Sequence, residues 1–315
     1  MIFNLLVGIP GSGKSYYAQE YLKAHPNSVW LSSDAIREEL LDDANDQQNP
    51  RAVFDEMFRR TITSLNNGKN VVYDATNLVA KTRRALVARI REAVKEDFSS
   101  CCHIISCTIE ECKMRNANRD RVVPEEVIDR MVRQFQIPWY NEGWDQIVLV
   151  KSGSRFLINK EQEILSGIPH DNPHHSANLG EHCALAAAKM ERILDKQDFP
   201  RDKHRAILLE AALRHDIGKR ATKVFHNAKG ERTNVAHYYE HNNVGAYLWL
   251  SSDQQFNWSF QEFLYIGLLI QWHMQPYFLA GGSYESLLSW CRRKGFNNEV
   301  AKDLWFIHEA DLSAH

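Results

Sequence analysis

The 315-residue sequence lacks the features that mark several special classes of protein. No apolar run approaches the roughly 20 residues that a membrane-spanning helix needs, and no stretch is repetitive or of low complexity. Neither sign of charge dominates, since 38 lysines and arginines are balanced by 40 aspartates and glutamates. Any contact with nucleic acid must therefore come from a local basic surface. A first strand starting at Ile2 leaves no room for a signal peptide, which favours a cytoplasmic protein.

Cysteine is scarce, and the spacing of the six cysteines is not that of a disulfide framework. Cys101, Cys102, Cys107 and Cys112 do cluster around His103. No second Cys-x-x-Cys pair completes a tetrahedral zinc site, however. We therefore interpret CCHIISCTI as a buried strand in which cysteines pack as small apolar residues.

The order of apolar patterns predicts two domains. In the first part of the chain, short apolar runs that end in polar turns alternate with helical patterns, which predicts a parallel sheet covered by helices on both faces. The predicted strands are 2–7, 29–31, 71–73 and 102–108, and the predicted helices are 15–24 and 81–94. Later the strand signals fade, and the predicted helices are 182–194, 204–216, 235–250, 260–271 and 300–311. We therefore predict an α/β domain over residues 1–155 and an all-α domain over residues 168–315.

The stretch GIPGSGKS, directly after the first strand, matches the phosphate-loop pattern G-x-x-x-x-G-K-[ST]. Backbone N–H groups of such a loop curl around nucleotide phosphates at a helix N-terminus. Lys14 would reach the β- and γ-phosphates of ATP, and Ser15 would bind Mg²⁺. The predicted nucleotide-binding residues of the loop are Gly8, Gly11, Ser12, Gly13, Lys14 and Ser15.

The stretch SSDAIR follows the second strand and carries a carboxylate and an arginine. Asp34, at the carboxyl end of a strand, would take the proton from an attacking hydroxyl group. Arg37 lies one helical turn further on and would hold a phosphate of the acceptor. The alternative for Asp34 is that it caps the helix that follows.

Two further polar stretches follow later strands. Asp74 and Asn77, in YDATN, would orient Mg²⁺, a water or the acceptor, or would simply form a turn. In MRNANRDR, Arg115 and Arg119 share one helix face, with Arg121 close behind. Arg119 would close over the γ-phosphate and stabilise transition-state charge. The alternative is a solvated basic face.

These motifs have the order and approximate spacing found in the phage-type 5′-hydroxyl polynucleotide kinases, which residues 1–150 resemble. The resemblance implies a phosphate loop, a general base at Asp34, an acceptor-phosphate arginine at Arg37 and lid arginines in MRNANRDR. Related P-loop kinases phosphorylate nucleosides and other small molecules. The phosphate loop does not separate these two classes of acceptor.

The stretch LRHDIGK carries an adjacent histidine and aspartate that a single ATP site does not need. The order His…His-Asp…His…His…Asp along the second half resembles the HD phosphohydrolase superfamily. The resemblance implies two divalent transition metals, such as Mn²⁺, Co²⁺, Ni²⁺, Fe²⁺ or Zn²⁺, bridged by the carboxylate of Asp216. One ion would be bound by His182, His215, Asp216 and Asp311. The other would share Asp216 and be bound by His241 and His273.

The neighbouring stretches NPHHSANLGEH, RHDIGKRATK and NVAHYYEHNNVGA resemble the HD domains of tRNA nucleotidyltransferases and related end-healing enzymes. Those domains hydrolyse phosphomonoesters or 2′,3′-cyclic phosphates. Lys219 and His237 are placed to meet a substrate phosphate, although a purely structural role is as well supported. His226, His237 and His308 are treated as core residues rather than as metal ligands.

Together, the two resemblances imply a bifunctional enzyme that heals nucleic-acid ends, similar to known kinase–phosphatase fusions. RNA ends are favoured over DNA, and an RNA ligase is a candidate partner. The alternative is a small-molecule nucleoside kinase fused to a nucleotidase. Five residues near the end of the first domain would either bind single strands or form an ordinary domain interface: Trp139, Tyr140 and Trp144, beside Arg130 and Arg133.

Overall fold

The computed structural model describes residues 1–43, 48–119, 121–172 and 177–314. The chain divides into two units, one formed by Met1–Met131 with Pro138–Ser154 and the other by Val132–Ile137 with Arg155–His315. Two parts of the motifs above, residues 173–176 of NPHHSANLGEH and Asp120 of MRNANRDR, lie outside the described residues.

The first unit is built on a five-stranded sheet in which all neighbouring strands are parallel. The strands are β1 (Ile2–Val7), β2 (Ser28–Ser32), β3 (Asn70–Asp74), β4 (Ser99–Ser106) and β5 (Gln146–Lys151), in the spatial order β2-β3-β1-β4-β5. Phe3, Leu5 and Leu6 of β1 are fully buried, as expected for a central strand covered on both faces. The predicted parallel α/β fold is confirmed, with β5 as an additional edge strand.

Helices connect these strands and begin at well-defined residues. They are α1 (Lys14–Ala24), α2 (Ser33–Leu41), α3 (Pro50–Asn66), α4 (Ala80–Ala93), α5 (Ile109–Ala117) and α6 (Glu125–Gln134), of which the residues up to Met131 belong to this unit. The side chains of Ser32, Asn49 and Thr108 each accept a hydrogen bond from the N–H three residues later and so cap α2, α3 and α5. Because α2 follows β2 directly, its first turn lies at the carboxyl edge of the sheet.

A buried ion pair links α4 to the turn before β5. The Arg83 guanidinium contacts both carboxylate oxygens of Glu142, at 2.6 and 2.8 Å, and the two side chains are 0% and 2% exposed. The Trp144 indole N–H also donates to Glu142, at 2.9 Å, and Arg83 donates to the Asn77 carbonyl at 2.9 Å. These contacts satisfy charges that would otherwise be very costly to bury.

The second unit is mainly helical. Its helices are α7 (Ile158–Leu165), α8 (Leu179–Lys196), α9 (Lys203–Arg214), α10 (Lys219–Thr222), α11 (His241–Leu250), α12 (Phe260–Trp272), α13 (Gln275–Phe278), α14 (Tyr284–Lys294) and α15 (Asn298–Leu312). The mostly apolar α12 packs against α9, α11 and α15, and its Leu264, Ile266 and Leu269 are fully buried. Within the described ranges, no helix is both long enough and apolar enough to span a membrane.

The prediction that this region is all-α is wrong in one place. The helix predicted over 235–250 begins only at His241, and it is preceded by an antiparallel ribbon of β6 (Lys223–His226) and β7 (Arg232–Tyr238). Two local features explain the difference. Gly230 has a φ of 83° and Asn227 accepts N–H bonds in the turn, which favours a hairpin. Glu240 then adopts a left-handed φ of 55°, so that the strand ends before the helix starts.

Candidate active sites

The phosphate loop lies between β1 and α1, where two glycines are required by the backbone. Gly11 and Gly13 have φ values of 78° and 97°, in the left-handed region that side chains disfavour. A Cβ at Gly11 would also lie 2.1 Å from the Cys112 carbonyl oxygen. The half-buried Lys14 follows, and its ammonium donates to the Ile9 carbonyl at 3.0 Å. Loss of solvent lowers the pKa of Lys14, although the Asp74 carboxylate acts in the opposite direction.

A hydroxyl and a carboxylate that suit Mg²⁺ lie beside this lysine. The Ser15 hydroxyl donates to Asp74 Oδ2 at 3.1 Å, and the Trp30 indole N–H donates to the same oxygen at 3.2 Å. Burial raises the pKa of Asp74, while Lys14 and the Ser15 hydrogen bond lower it. Hard oxygen donors of this kind are the ligands that Mg²⁺ prefers. Asp74 and Ser15 together therefore fit the ion that accompanies a nucleotide.

Asp34 lies in the first turn of α2 and is held by two arginines. Its Oδ1 contacts Arg37 at 2.9 Å and Arg121 at 2.5 Å, and its side chain is 47% exposed. The N-cap of α2 is Ser32, so the alternative in which Asp34 caps the helix is wrong. The pairing of Asp34 with Arg121 was not predicted, because 87 residues of sequence separate the two.

Most of the predicted nucleotide-site residues surround one cavity of about 500 Å³, although Gly8 and Ser12 of the phosphate loop do not line it. Its lining includes Gly11, Gly13, Lys14, Ser15, Asp34, Arg37, Asp74, Arg115, Arg119 and Arg121. Arg115 is fixed by Glu111 and by the Ser152 hydroxyl, whereas Arg119 is exposed. Asn77 has a φ of 49° and donates to the Leu6 and Ala75 carbonyls, so it has the turn-forming role that was one of its two alternatives.

Two aromatic or cysteine-rich stretches belong to the core of the first unit. Trp144 is 4% exposed and stacks on Phe3 at 6.4 Å. Of the two alternatives given for Trp144, binding of single strands is therefore wrong, since the ring is buried and its indole N–H donates to a buried carboxylate. His103 is buried between Tyr17 and Asn4, and the cysteines around it are buried.

In the second unit, the six residues predicted as metal ligands converge on one cluster. His182 is in α8, His215 and Asp216 follow α9, His241 begins α11, His273 follows α12 and Asp311 is in α15. On one side of the cluster, Asp216 Oδ2 lies 3.5 Å from His182 Nε2 and 3.3 Å from His215 Nε2. Asp311 Oδ1 lies 2.9 and 3.4 Å from the same two nitrogens.

The other oxygen of Asp216 faces a second pair of imidazoles. Its Oδ1 lies 3.1 Å from His241 Nε2 and 3.7 Å from His273 Nε2. The two imidazole nitrogens are 3.2 Å apart. The carboxylate of Asp216 thus lies between two groups of donors, as a bridging ligand would.

Backbone carbonyls orient three of the imidazoles. Nδ1 of His215, His241 and His273 lies 2.7–2.8 Å from the carbonyl oxygen three residues earlier in the chain. With Nδ1 used in this way, Nε2 is directed into the cluster. A backbone hydrogen bond of this type fixes the tautomer and the ring orientation of metal-binding histidines.

The cluster already carries strong electrostatic coupling. Burial alone would lower the pKa of His215, but the carboxylates of Asp216 and Asp311 outweigh it and raise that pKa well above its usual value. Burial would raise the pKa of Asp216, but His215 and Lys219 hold it well below its usual range. The Lys219 ammonium lies 2.6 Å from Asp216 Oδ2. This ammonium is therefore one of the groups that stabilise the ionised form of Asp216.

One member of the cluster was missed in the sequence. His170 is 2% exposed, and its ring lies 5.4 Å from that of His182. A ligand atom of each of His170, His182 and Asp216 lies within 4.8 Å of the others. His170 precedes α8 in a segment without helical periodicity. The one sequence feature that could have indicated a ligand there is the adjacent Asp171, which gives a second His-Asp pair. Tyr277 also contacts the cluster, donating to Asp311 Oδ2 at 2.8 Å.

A cavity of about 300 Å³ leads to the cluster and is lined by Asp216, Lys219, His237, Tyr238, His241 and Asp311, among others. Of the three histidines expected in the core, only His308 is buried. His226 is exposed and His237 is half-buried, because both lie on the ribbon rather than on a helix.

No side chain fits at Gly218, which follows the His215–Asp216 pair, since a Cβ there would lie 2.1 Å from the His241 carbonyl oxygen.

Residues 4–138 match a family described as an AAA domain. Among curated proteins, the chain is similar to the L-seryl-tRNA(Sec) kinase of Methanococcus maripaludis. The two are 25% identical over 208 residues, which are 62% of this chain and 75% of the relative. The first unit is a P-loop domain of the kinase type.

Solved structures give further likenesses. A chain of the Pnkp1/Rnl/Hen1 complex is 26% identical, with a TM-score of 0.33, and the match covers 39% of this chain and 40% of that chain. A chain of the Pnkp1/Rnl/Hen1 RNA repair complex is 25% identical, with a TM-score of 0.38 and coverages of 42% and 43%. A fungal RNA kinase is 14% identical, with a TM-score of 0.38 and coverages of 68% and 50%. This chain therefore spans about two fifths of the length of the two Pnkp1/Rnl/Hen1 chains.

Proposed function

We propose that this chain heals broken nucleic-acid ends, with RNA favoured over DNA. The first unit would phosphorylate 5′-hydroxyl ends with ATP, and the second would remove 2′,3′-cyclic, 2′- or 3′-phosphates. The main support is that one chain contains both a phosphate-loop site and a buried cluster of six histidines and aspartates centred on Asp216, all of them residue types that bind metals. The similarity to a kinase named for a tRNA substrate supports an acceptor linked to RNA.

In the proposed kinase reaction, the acceptor hydroxyl attacks the γ-phosphorus of ATP. The bond between the γ-phosphorus and the β–γ bridging oxygen breaks, and ADP leaves. Both arginine contacts of Asp34 involve Oδ1, which leaves Oδ2 to accept the hydroxyl proton. Lys14 would bind the β- and γ-phosphates, and Ser15 with Asp74 would hold Mg²⁺, which supplies charge neutralisation. Arg119, exposed at the cavity, would close over the γ-phosphate.

Arg37 would bind a phosphate on the 3′ side of the acceptor nucleoside. Its side chain is 6% exposed and pairs with Asp34. The group that binds the acceptor phosphate would therefore lie next to the carboxylate that accepts the hydroxyl proton. This role distinguishes a nucleic-acid end from a free nucleoside. We expect 3′-phosphorylated nucleotides to be better acceptors than plain nucleosides, and the reverse result would favour the small-molecule alternative.

In the second unit, the donor set fits two divalent transition metals. One ion would be held by His182, His215, Asp216 and Asp311, and the other by Asp216, His241 and His273. Such ions act as Lewis acids that polarise a phosphoryl group. Lys219 and His237, which line the same cavity, would contact the substrate phosphate. Each hydrolysis adds water to phosphorus and breaks one bond to a sugar oxygen, which leaves with a proton. A 2′,3′-cyclic phosphate needs two such steps, of which the first opens the ring to a phosphomonoester and the second releases inorganic phosphate. The products of the two reactions, a 3′-hydroxyl and a 5′-phosphate, are the ends that an RNA ligase joins.

The test offers radiolabelled ATP with Mg²⁺ to 5′-hydroxyl RNA, 5′-hydroxyl DNA and free nucleosides in parallel. A second assay, without ATP, offers RNA with a 2′,3′-cyclic end together with Mn²⁺, Co²⁺, Ni²⁺, Fe²⁺ or Zn²⁺. We expect label on RNA in the first assay, and opening of the cyclic phosphate with release of inorganic phosphate in the second. Labelling of nucleosides alone, with cleavage of free nucleotides alone, would establish instead a nucleoside kinase fused to a nucleotidase.

A further inference from the structure

The β6–β7 ribbon presents a group of aromatic rings, of which the proposed chemistry uses only His237. His226 ends β6 and is exposed, whereas His237 lies near the end of β7 and Tyr239 directly follows that strand, and both are half-buried. The rings of His237 and Tyr239 stack on each other, so they lie on the same side of the ribbon. These three residues are called the ring row below.

The rings of the row are nearly parallel. The His237 and Tyr239 ring centroids are 5.5 Å apart with an angle of 4° between the planes. Tyr239 and His226 follow at 6.5 Å and 21°, and the Tyr239 hydroxyl donates to the His226 carbonyl at 3.4 Å. Parallel aromatic faces of this kind accept the faces of other flat rings, with little dependence on which ring it is.

The ring row is continuous with the metal-type cluster. His237 lines the same cavity as Asp216, Lys219 and Asp311, so the row begins at the cavity wall and extends along the ribbon toward the exposed His226. Arg232 is the cross-strand partner of His226, whereas Lys223 pairs with Tyr238 on the other face of the ribbon, and its ammonium lies 2.7 Å from the Asp171 carboxylate. A negatively charged chain with flat bases would therefore meet the Arg232 cation and ring faces along one path.

We propose that the ring row stacks the last bases of a single-stranded nucleic-acid end whose phosphate lies at the Asp216 cluster. The proposal rests on the proposed hydrolase function of the second unit and names its substrate contact. His237 would contact the terminal phosphate, as proposed above, with its ring beside the terminal base, and Tyr239 with His226 would stack on the terminal base and the base that precedes it. The row would thus select polynucleotide ends over small phosphate esters, while leaving base identity open.

The test compares two oligonucleotides that end in the same 3′-phosphate, one with a normal terminal nucleotide pair and one in which both terminal positions are abasic. Their charge is the same, so only stacking differs. Tyr239→Leu removes the central ring and keeps an apolar side chain. We expect it to raise KM for the normal oligonucleotide about tenfold, as is typical when one stacked base is lost, with kcat and the abasic substrate nearly unaffected. Tyr239→Phe should restore KM.

Phe225→Leu is the matched control, because Phe225 is an exposed aromatic residue of the same ribbon that lies outside the ring row. Binding is measured separately, from quenching of 2-aminopurine placed at the end of a 3′-hydroxyl oligonucleotide, which cannot be hydrolysed. Quenching that Tyr239→Leu abolishes would support the row even if the wild-type protein proved not to be a hydrolase. Equal KM values for normal and abasic ends in an active wild-type protein, or equal effects of Tyr239→Leu and Phe225→Leu, would overturn the inference.

Discussion

The two candidate sites expose their charged groups to very different degrees. Around the phosphate loop, the Asp34 side chain is 47% exposed and Arg119 is on the surface. In the Asp216 cluster, the side chains of His182 and Asp216 are 1% and 3% exposed. The first site uses long side chains at the rim of an open cavity, and the second uses short donors fixed by helices and backbone carbonyls.

This difference matches what each site would hold. A nucleotide and an acceptor enter and leave in every turnover, so their binding groups must remain accessible and able to move. Resident metal ions stay in place, so their ligands can be buried and fixed in advance. Burying several histidines and carboxylates without such ions is costly, and the short contact between Lys219 and Asp216 shows how strongly that site attracts positive charge.

The substitution Asp216→Ala should have the largest effect, because it should disable one of the two sites and leave the other active. Because Asp216 lies between both groups of donors, we expect loss of both metals and a fall in phosphate-end hydrolysis of about a thousandfold or more. Kinase activity should stay within a few-fold of wild type. Metal content by mass spectrometry and both activity assays give the result. Loss of both activities in a folded protein would mean one composite site.

The converse change is Asp34→Asn, which keeps the shape of the side chain but removes the base. Transfer to a 5′-hydroxyl should fall about 10²–10⁴-fold, with ATP binding and hydrolysis at the other site retained. Asp42→Asn, at the opposite end of α2, is the matched control. Near-normal transfer by Asp34→Asn would eliminate Asp34 as the base.

The first unit also contains one pair as deeply buried as the cluster, Arg83 with Glu142. Arg83→Met leaves a buried carboxylate without its partner, so we expect the free energy of unfolding to fall by about 3–5 kcal/mol. Adding Glu142→Leu should recover part of this loss. Arg91→Met breaks the exposed pair with Asp145, whose side chains are 40% and 50% exposed, and should cost about 1 kcal/mol or less. Urea denaturation measures both losses. If Arg83→Met and Arg91→Met lowered the free energy of unfolding equally, the buried pair would not be more important than the exposed one.

His170→Gln tests whether the cluster extends beyond the six residues found by sequence. Since His170 shares a donor group with His182 and Asp216, we expect weaker metal binding by about tenfold, as is usual when a supporting group is lost. Titration of the protein with Co²⁺, followed by absorption, measures this. The exposed His226→Gln is the control, and unchanged Co²⁺ affinity in His170→Gln would remove His170 from the cluster.

The smallest expected effect is a pH dependence of stability in the second unit. The hydrogen bond from His204 to the buried Asp303, at 2.8 Å, raises the pKa of His204 against the opposing effect of burial. A raised folded-state pKa adds stability that is fully present below the usual value of about 6.5 and is lost as pH rises through the raised value. The difference in Tm between wild type and His204→Gln should therefore shrink from pH 6 to pH 9. An unchanged difference would contradict the ion pair.

The fold of the first unit was predictable because its signals are local. Apolar runs marked the strands, and glycines marked the loop where only glycine fits. The edge strand β5 was missed because it is a single apolar stretch between Gly143 and Gly153, and the helix that follows it, α7, is short and belongs to the second unit, so it does not complete a βα repeat. The ribbon was missed for a related reason. Its apolar residues, such as Val235 and Ala236, run on into α11, and the break at Glu240 depends on a backbone conformation that no residue type dictates.

The site residues were predictable only where their order carried information. His182 and Asp311 are 129 positions apart in sequence, yet their order relative to His215 and Asp216 was sufficient to propose a cluster. His170 belongs to no ordered pattern and was found only because folding brings it to the cluster. Arg121 stood out in the basic stretch, but its contact with Asp34 was found only in the fold. For Trp144 the sequence left two roles open, and only the structure removes binding of single strands, because Trp144 is buried and Glu142 accepts its indole N–H.

Gly218 has no side-chain atom that could bind a metal, yet its close approach to the His241 carbonyl means that mutations at this position should affect the metal site. A single added methyl group would push the first turn of α11 away from the segment that carries His215 and Asp216. In a random screen for variants that need extra metal in the medium, Gly218→Ala should therefore be recovered together with the ligand mutants. Excess Mn²⁺ should rescue it, whereas a true ligand mutant such as His241→Ala should stay inactive.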